Sequence, residues 1–309
     1  MRSSVANSFT ALLALGSSAV VEGASGRLNK RADVVTVTQT VSAASSSPTA
    51  WQWDAGAVRD IPIHPSCNAT ERAQLQRGFA DAIKYAQHAK DHIMRFGNSS
   101  DQYVRYFGNA PTAEAAGWYD KIVNGDKKGL WFRCDDVDGN CSQDGWAGHW
   151  RGSNATMETV ICPLSYTTRK PIEALCAFGY DIANGKLNTQ FGIDLIHRLF
   201  HVPTVGEGVA EHYADTYAEC LELAKTKPAE AVRNTHSLQY FALDVYAYDI
   251  ALPGEGCTGK LKAQSSAGAP AAPAPTSAAA TSTKAGAATQ TSAAPAECHT
   301  HSDGVVHCV

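Results

Sequence analysis

Two histidine pairs in this chain share the spacing His-x-x-x-His but sit in unlike surroundings. His197 and His201 lie in the run QFGIDLIHRLFH (190–201). There Gln190, Asp194, His197 and His201 form one narrow polar stripe, surrounded by Phe191, Ile193, Leu195, Ile196, Leu199 and Phe200. A helix that is apolar on most sides is a buried one, and buried imidazoles need partners to offset their desolvation. Imidazoles at i and i+4 point the same way and can both ligate one Zn²⁺; a hydrogen-bonded core pair is the other reading of this pattern. His88 and His92 fall opposite the stripe Leu75–Phe79–Ile83 and share their face with Lys84 and Asp81, so they read as two solvated histidines. A third cluster closes the chain. Cys298, His299, His301, His307 and Cys308 place five soft or borderline ligands within eleven residues, around Asp303. Thiolates and imidazoles favour Zn²⁺ over Ca²⁺ or Mg²⁺. If Cys298 and Cys308 oxidise to a bridge, the three histidines still form a usable site.

These residues need a scaffold, and the composition bounds it. The chain has 309 residues, with 26 Lys and Arg against 30 Asp and Glu, a formal charge of −4. That excludes a polycationic nucleic-acid binder. Arg2, the apolar stretch FTALLAL (9–15) and Ser17-Ser18-Ala19 predict a secretory signal over residues 1–19. A propeptide follows over 20–31, ending at the dibasic Lys30-Arg31, and then a Ser/Thr-rich leader over 32–50. Residues 51–258 have a globular composition. Residues 259–296, nearly all Ala, Ser, Thr, Pro and Gly from 263, read as a disordered stalk carrying the metal-binding tail 297–309. No segment is long and apolar enough to span a membrane. Sequons at Asn68, Asn98, Asn140 and Asn154 predict N-glycosylation, and nine cysteines fit an oxidising, extracellular compartment.

Within the domain the apolar periodicity predicts a helix from Glu71 to about Phe96, capped by Thr70. A second helix starts at Asn188 or Thr189 and ends near His201, before Val202-Pro203. A third runs from about Val209 to Lys225 and a fourth from Ser237 to Ile250. Residues 130–166, rich in Gly, Trp and Cys, predict short strands and irregular chain.

The stretches IPIHPSCNATERAQLQRGFADA (61–82), HRLFHVPTVGEG (197–208), LQYFALDVYAYDIALPGEGC (238–257) and CHTHSDGVVHC (298–308) resemble the HRXXH family of fungal secreted proteins. Members of that family include an allergen and a pH-regulated antigen described as a zincophore. FRCDDVDGNC (132–141), TVICPLSY (159–166) and the histidine helix are more distantly similar to the deuterolysins, secreted fungal zinc peptidases. The resemblance implies an α-rich α+β fold on a zincin-like, deuterolysin-like metallopeptidase scaffold. It implies disulfides Cys67–Cys134, Cys141–Cys162 and Cys176–Cys257, a tail bridge Cys298–Cys308, and Cys220 left as a buried thiol. It also places His236 where deuterolysins carry the Asp that completes the zinc site, giving a three-histidine centre with one open position. The bland alternative for His236 is a solvated residue at a helix start. Asp194, Arg198 and His212 would modulate the centre.

Arg198 stands where the related peptidases carry the Glu that deprotonates zinc-bound water. A guanidinium stays protonated and cannot be that base. Glu211 is the candidate for a relocated base, its other reading being a solvated first-turn helix residue. The leading expectation is therefore a secreted zinc scavenger and surface antigen or allergen that captures Zn²⁺ for a cell-surface zinc transporter. The alternatives are a zinc metalloendopeptidase, or a cell-wall protein that binds host proteins and carries a structural zinc. Ligand protonation predicts weaker zinc binding as pH falls through the imidazole range.

Overall fold

The computed structural model describes residues 51–262 and two short strands, 298–300 and 306–308. The expected signal, propeptide and leader, most of the stalk, and His301 with Asp303 lie outside the described residues. The first helix, α1 (Ala69–Phe96), is capped by Asn68 rather than Thr70. The Asn68 amide oxygen accepts from the Thr70 and Glu71 backbone N–H groups, and the Glu71 carboxylate accepts from the Asn68 N–H. This reciprocal box satisfies donors that the first turn would otherwise leave orphaned. Two helices absent from the sequence expectation follow, α2 (Asp101–Phe107) and α3 (Thr112–Asn124).

A small mixed sheet comes next. Strands β1 (Trp131–Arg133), β2 (Gly148–Trp150) and β3 (Glu158–Ile161) lie in the order β1-β3-β2, with β1 parallel and β2 antiparallel to β3. The short helix α4 (Pro163–Thr168) leads towards α5 (Phe191–Phe200), all ten residues of which are buried. Then come α6 (Pro203–Gly206), α7 (Tyr217–Thr226), α8 (Pro228–Ala231) and α9 (Thr235–Tyr246), which runs on into a π-helical turn, Ala247–Ala251. The expected helix over 209–225 begins only at Tyr217. A capping box at Thr216 and Glu219 sets that start, and Glu207 and Gly208 before it adopt left-handed backbone. Residues 209–216 are thereby freed from helix and run as irregular chain with a β-bridge at Glu211.

Helix α1 packs against α3, α5 and α9. At the α1–α5 crossing a Cβ on Gly78 would lie 2.7 Å from Leu195 Cδ1, and one on Gly192 would lie 2.8 Å from the Ala82 backbone nitrogen. Two glycines, one from each helix, thus let α5 sit deep in the core and carry its histidines with it. Disulfides tie the shell around α5: Cys67–Cys134 anchors the approach to α1 on β1, Cys141–Cys162 joins the β1–β2 connection to the end of β3, and Cys176–Cys257 links the approach to α5 with the exit from α9. Cys220 on α7 is a buried free thiol pushed up to about 12 by burial. Among the described residues no helix is long and apolar enough to cross a membrane. Strands β4 (Cys298–Thr300) and β5 (Val306–Cys308) pair antiparallel, with Cys298 opposite Cys308 and His299 opposite His307.

Solvation of His88 and His92 is overturned. His92 is buried at 6% exposure, and both imidazoles contact Asp249 of the π-helical turn. The face opposite the apolar stripe is covered because α1 is packed on more than one side.

Candidate metal centre

Helix α5 delivers His197 and His201 to one point, their Nε2 atoms 3.1 Å apart. A third Nε2, that of His212, lies 3.4 Å from that of His201. Two ligands of a tetrahedral zinc with Zn–N bonds of 2.0–2.1 Å are separated by about 3.3 Å, so the two distances bracket the edge of a zinc tetrahedron. All three nitrogens lie within 4.8 Å of one another.

The tautomers suit ligation. Gln239 on α9 donates through Nε2 to the Ile193 carbonyl at 3.0 Å, which turns its Oε1 towards His197 Nδ1 at 3.2 Å. His197 Nδ1 therefore carries the proton, and its Nε2 presents a lone pair to the other rings. His212 Nδ1 faces Asp215 Oδ1 at 2.9 Å, so its Nε2 lone pair is likewise turned inward. Partners on the outer nitrogen are how metal-binding histidines are oriented. The indole of Trp150 stacks at 6.4 Å on His201 from the sheet side.

His236 joins from α9. Its ring stacks on His197 with centroids 5.4 Å apart, and its Nδ1 lies 3.3 Å from Asp215 Oδ1. His212, Asp215 and His236 thus form a second group sharing His212 with the first. Four imidazoles come together where the sequence suggested three, with His212 in the inner triangle and His236 beside it.

The clamp joining these segments is Asn234. Glu211 forms a parallel bridge with Asn234, through Glu211 N–H to the Arg233 carbonyl at 3.0 Å and Thr235 N–H to the Glu211 carbonyl at 2.9 Å. The buried Asn234 side chain accepts from the Tyr213 and Ala214 N–H groups and donates to Ser237 and Cys220. One backbone bridge and one amide thereby fix His212 beside His236.

Arg198 turns to Asp194. Its Nε and Nη2 donate to the two Asp194 oxygens at 2.9 and 3.1 Å, and Arg169 donates to the same carboxylate at 3.3 Å. Burial pushes the Asp194 carboxyl up, but the two guanidiniums outweigh it and hold it below the usual carboxylate range. Gly148 on β2 makes room for this pair, since a Cβ there would lie 2.7 Å from Arg198 Nη1. A cleft of about 230 Å³ opens on Asp194, His197, Arg198, Asp215, His236 and Gln239, while Glu211 is not among its lining residues.

Of the other expected site residues, Asn68, Asn98 and Asn154 are exposed and Asn140 is half-buried. Strands β4 and β5 bring Cys298, His299, His307 and Cys308 into facing register. Asp215, Gln239 and Asn234 were missed by sequence reasoning. A carboxylate three residues after His212 and an amide three residues after His236 were the available signals, hidden by treating residues 209–216 as helix.

The match of the family model for HRXXH, described as "Putative peptidase family", runs over residues 13–260. The chain is 55% identical over 213 residues to "Major allergen Asp f 2" of Aspergillus fumigatus, covering 69% of each chain. It is 53% identical over 248 residues to "Antigen 1" of Emericella nidulans, covering 80% of this chain and 88% of that one. To "pH-regulated antigen PRA1" of Candida albicans it is 50% identical over 226 residues, covering 73% and 75%. Among solved structures it is similar to a zinc peptidase from Grifola frondosa, with a TM-score of 0.43 and 17% identity over 58% of this chain and 97% of that one. The chain belongs to the HRXXH family.

Proposed function

We propose that this protein is a secreted zinc scavenger, binding Zn²⁺ as cargo outside the cell and yielding it to a cell-surface zinc transporter. The carrying observation is the meeting of the His197, His201 and His212 Nε2 atoms, with His201 at zinc-tetrahedral spacing from each of the other two, and with outer-nitrogen partners on His197 and His212. His236 and Asp215 stand beside the triangle and offer replacement donors, a useful property for a site that must release its ion. Arg198 fits this role. A carrier needs ligands and no general base, and the guanidinium is held on Asp194. The three disulfides and the allergen and antigen relatives support an extracellular setting. The tail 297–309, on its stalk, is the second zinc-binding element of the proposal.

Zinc titration of the mature protein, with and without residues 297–309, tests the reading. At least one equivalent is expected to stay bound at neutral pH after the tail is removed. Less than one equivalent on the full-length protein ends the scavenger reading.

The cleft favours one other reading, a metallopeptidase, because His197, His236 and Asp215 line it. Casein digestion by the wild type that disappears in Glu211→Ala or Asp215→Asn would reverse the ranking.

A further inference from the structure

We infer that the C-terminal hairpin folds back onto strand β2 and closes the α5 metal centre, so that the tail and the α5 histidines hold one zinc between them. The inference rests on the zinc reading of α5 proposed above and adds the tail to it as an intramolecular ligand arm.

Strand β2 is where the sheet meets the centre, and it lies at the edge of the order β1-β3-β2. The Trp150 indole stacks on His201, and a Cβ on Gly148 would touch Arg198 Nη1. Ala147, just before the strand, lines the cleft that opens on His197 and His236. The ladder uses one side of β2. Cys162 N–H donates to the Ala147 carbonyl at 2.9 Å, and Arg151 N–H to the Glu158 carbonyl at 3.1 Å. Residues 147 and 151 therefore direct backbone groups towards β3 and the residue after it. By the alternation of an antiparallel pair, Gly148 and Trp150 direct theirs to the opposite edge. Such an edge is a template for a further strand.

The strand that comes to it belongs to the tail: β4 packs against β2. Within the hairpin Cys298 pairs with Cys308 and His299 with His307. Directly opposed residues share a face, and successive residues alternate between faces. The two histidine positions thus occupy one face of the hairpin and the two cysteine positions the other, so a bridge between the cysteines leaves the histidine face intact. At the α5 centre three imidazole nitrogens leave one corner of a zinc tetrahedron for a further ligand. His236 comes to the centre from α9, whereas a hairpin seated on β2 approaches from the sheet side, along Trp150. Because the arm is covalently attached, its imidazoles compete with water for that corner at an effective concentration on the order of millimolar. An arm held in this way tightens capture and can let go without unfolding the core.

The test is zinc competition against a chelating dye at pH 7.5, up to one equivalent, with circular dichroism as the folding control. The forms compared are the full-length chain, the chain lacking residues 297–309, full-length H299Q/H301Q/H307Q and full-length H197Q/H201Q. Both tail changes are expected to weaken the first zinc by at least about 10-fold while one equivalent stays bound. Adding the free tail peptide at equimolar concentration should not restore the affinity, and H197Q/H201Q should lose the tight site. Amide hydrogen exchange at Gly148 and Trp150 should quicken in the truncated chain. A first zinc held equally tightly without the tail, full affinity persisting in H197Q/H201Q, or unchanged exchange at Gly148 and Trp150 overturns the inference. Equal affinity with and without the tail removes only the arm and leaves the zinc reading of α5 standing. Absence of zinc from both the full-length and the truncated chain ends that reading, and the arm with it.

Discussion

The two His-x-x-x-His helices carry the same ligand spacing into opposite settings. On α5 every residue is buried, and the imidazoles are met by other imidazoles: His212 from the segment before α7 and His236 from α9. On α1 the pair is met by one carboxylate at the rim of the molecule. At α5 the inter-nitrogen distances already match a zinc tetrahedron; at α1 they match hydrogen bonds. The spacing supplies two parallel imidazoles, and the partner brought from elsewhere in the fold decides whether they face other imidazoles or hydrogen-bond to a carboxylate.

The sharpest way to strain this contrast is at Arg198. Arg198→Glu restores the peptidase-like sequence but sets a buried carboxylate against Asp194 and leaves only Arg169 to hold both. Breaking a buried pair of this kind costs about 3–5 kcal/mol. We expect a fall in Tm of roughly 10 °C and no gain of casein hydrolysis. Asp249→Asn on the α1 side keeps an acceptor oxygen for His88 and His92 and should cost less, about 1–2 kcal/mol, since only one charge-assisted contact set at a half-buried position is weakened. Thermal unfolding of the two variants side by side measures the difference.

Asn234→Ala comes next. It strands the buried Ala214 N–H and the Tyr213 N–H and releases His212 from His236, at about 2–3 kcal/mol. It should weaken zinc binding at the α5 centre by about 10-fold or more. Gly192→Ala follows at about 1–3 kcal/mol, because its Cβ meets the α1 backbone at Ala82. Denaturant unfolding quantifies both.

The smallest effect is a pH term from the sheet. Burial lowers the pKa of His149 against the opposing pull of Asp138, so the folded state holds it neutral. The unfolded chain protonates this residue near pH 6.5. The stability it contributes is therefore present above about pH 6.5 and is lost as pH falls towards the lower folded value. In His149→Phe the decline of Tm below that point should be shallower, and thermal melts between pH 7.5 and 5 read it directly.

Much of this was legible in the residues. The apolar surround of QFGIDLIHRLFH made α5 a buried helix with a polar stripe, and the structure buries it throughout. The first helix was placed to within two residues, although its cap is Asn68. Most of the losses come from tertiary packing, and one from an overlooked local signal. His92 is on the polar side of α1 by periodicity, and only the π-helical turn after α9 covers it. The segment 209–216 has helix-compatible residues, yet Thr216-x-x-Glu219 was a visible signature for a later start. Missing it hid the non-helical EHYAD stretch that presents His212 and Asp215. Gln239 and Asn234 act through contacts across the fold, Gln239 on Ile193 and Asn234 on Tyr213, and no local pattern marks them.

The central claim, that α5 and its partners hold zinc, is tested most directly by anomalous diffraction at the zinc edge from crystals grown with Zn²⁺ at neutral pH. The account predicts a peak about 2.0–2.1 Å from the Nε2 atoms of His197, His201 and His212, with Arg198 still on Asp194. A zinc-free cluster in crystals whose tail carries the ion would contradict it.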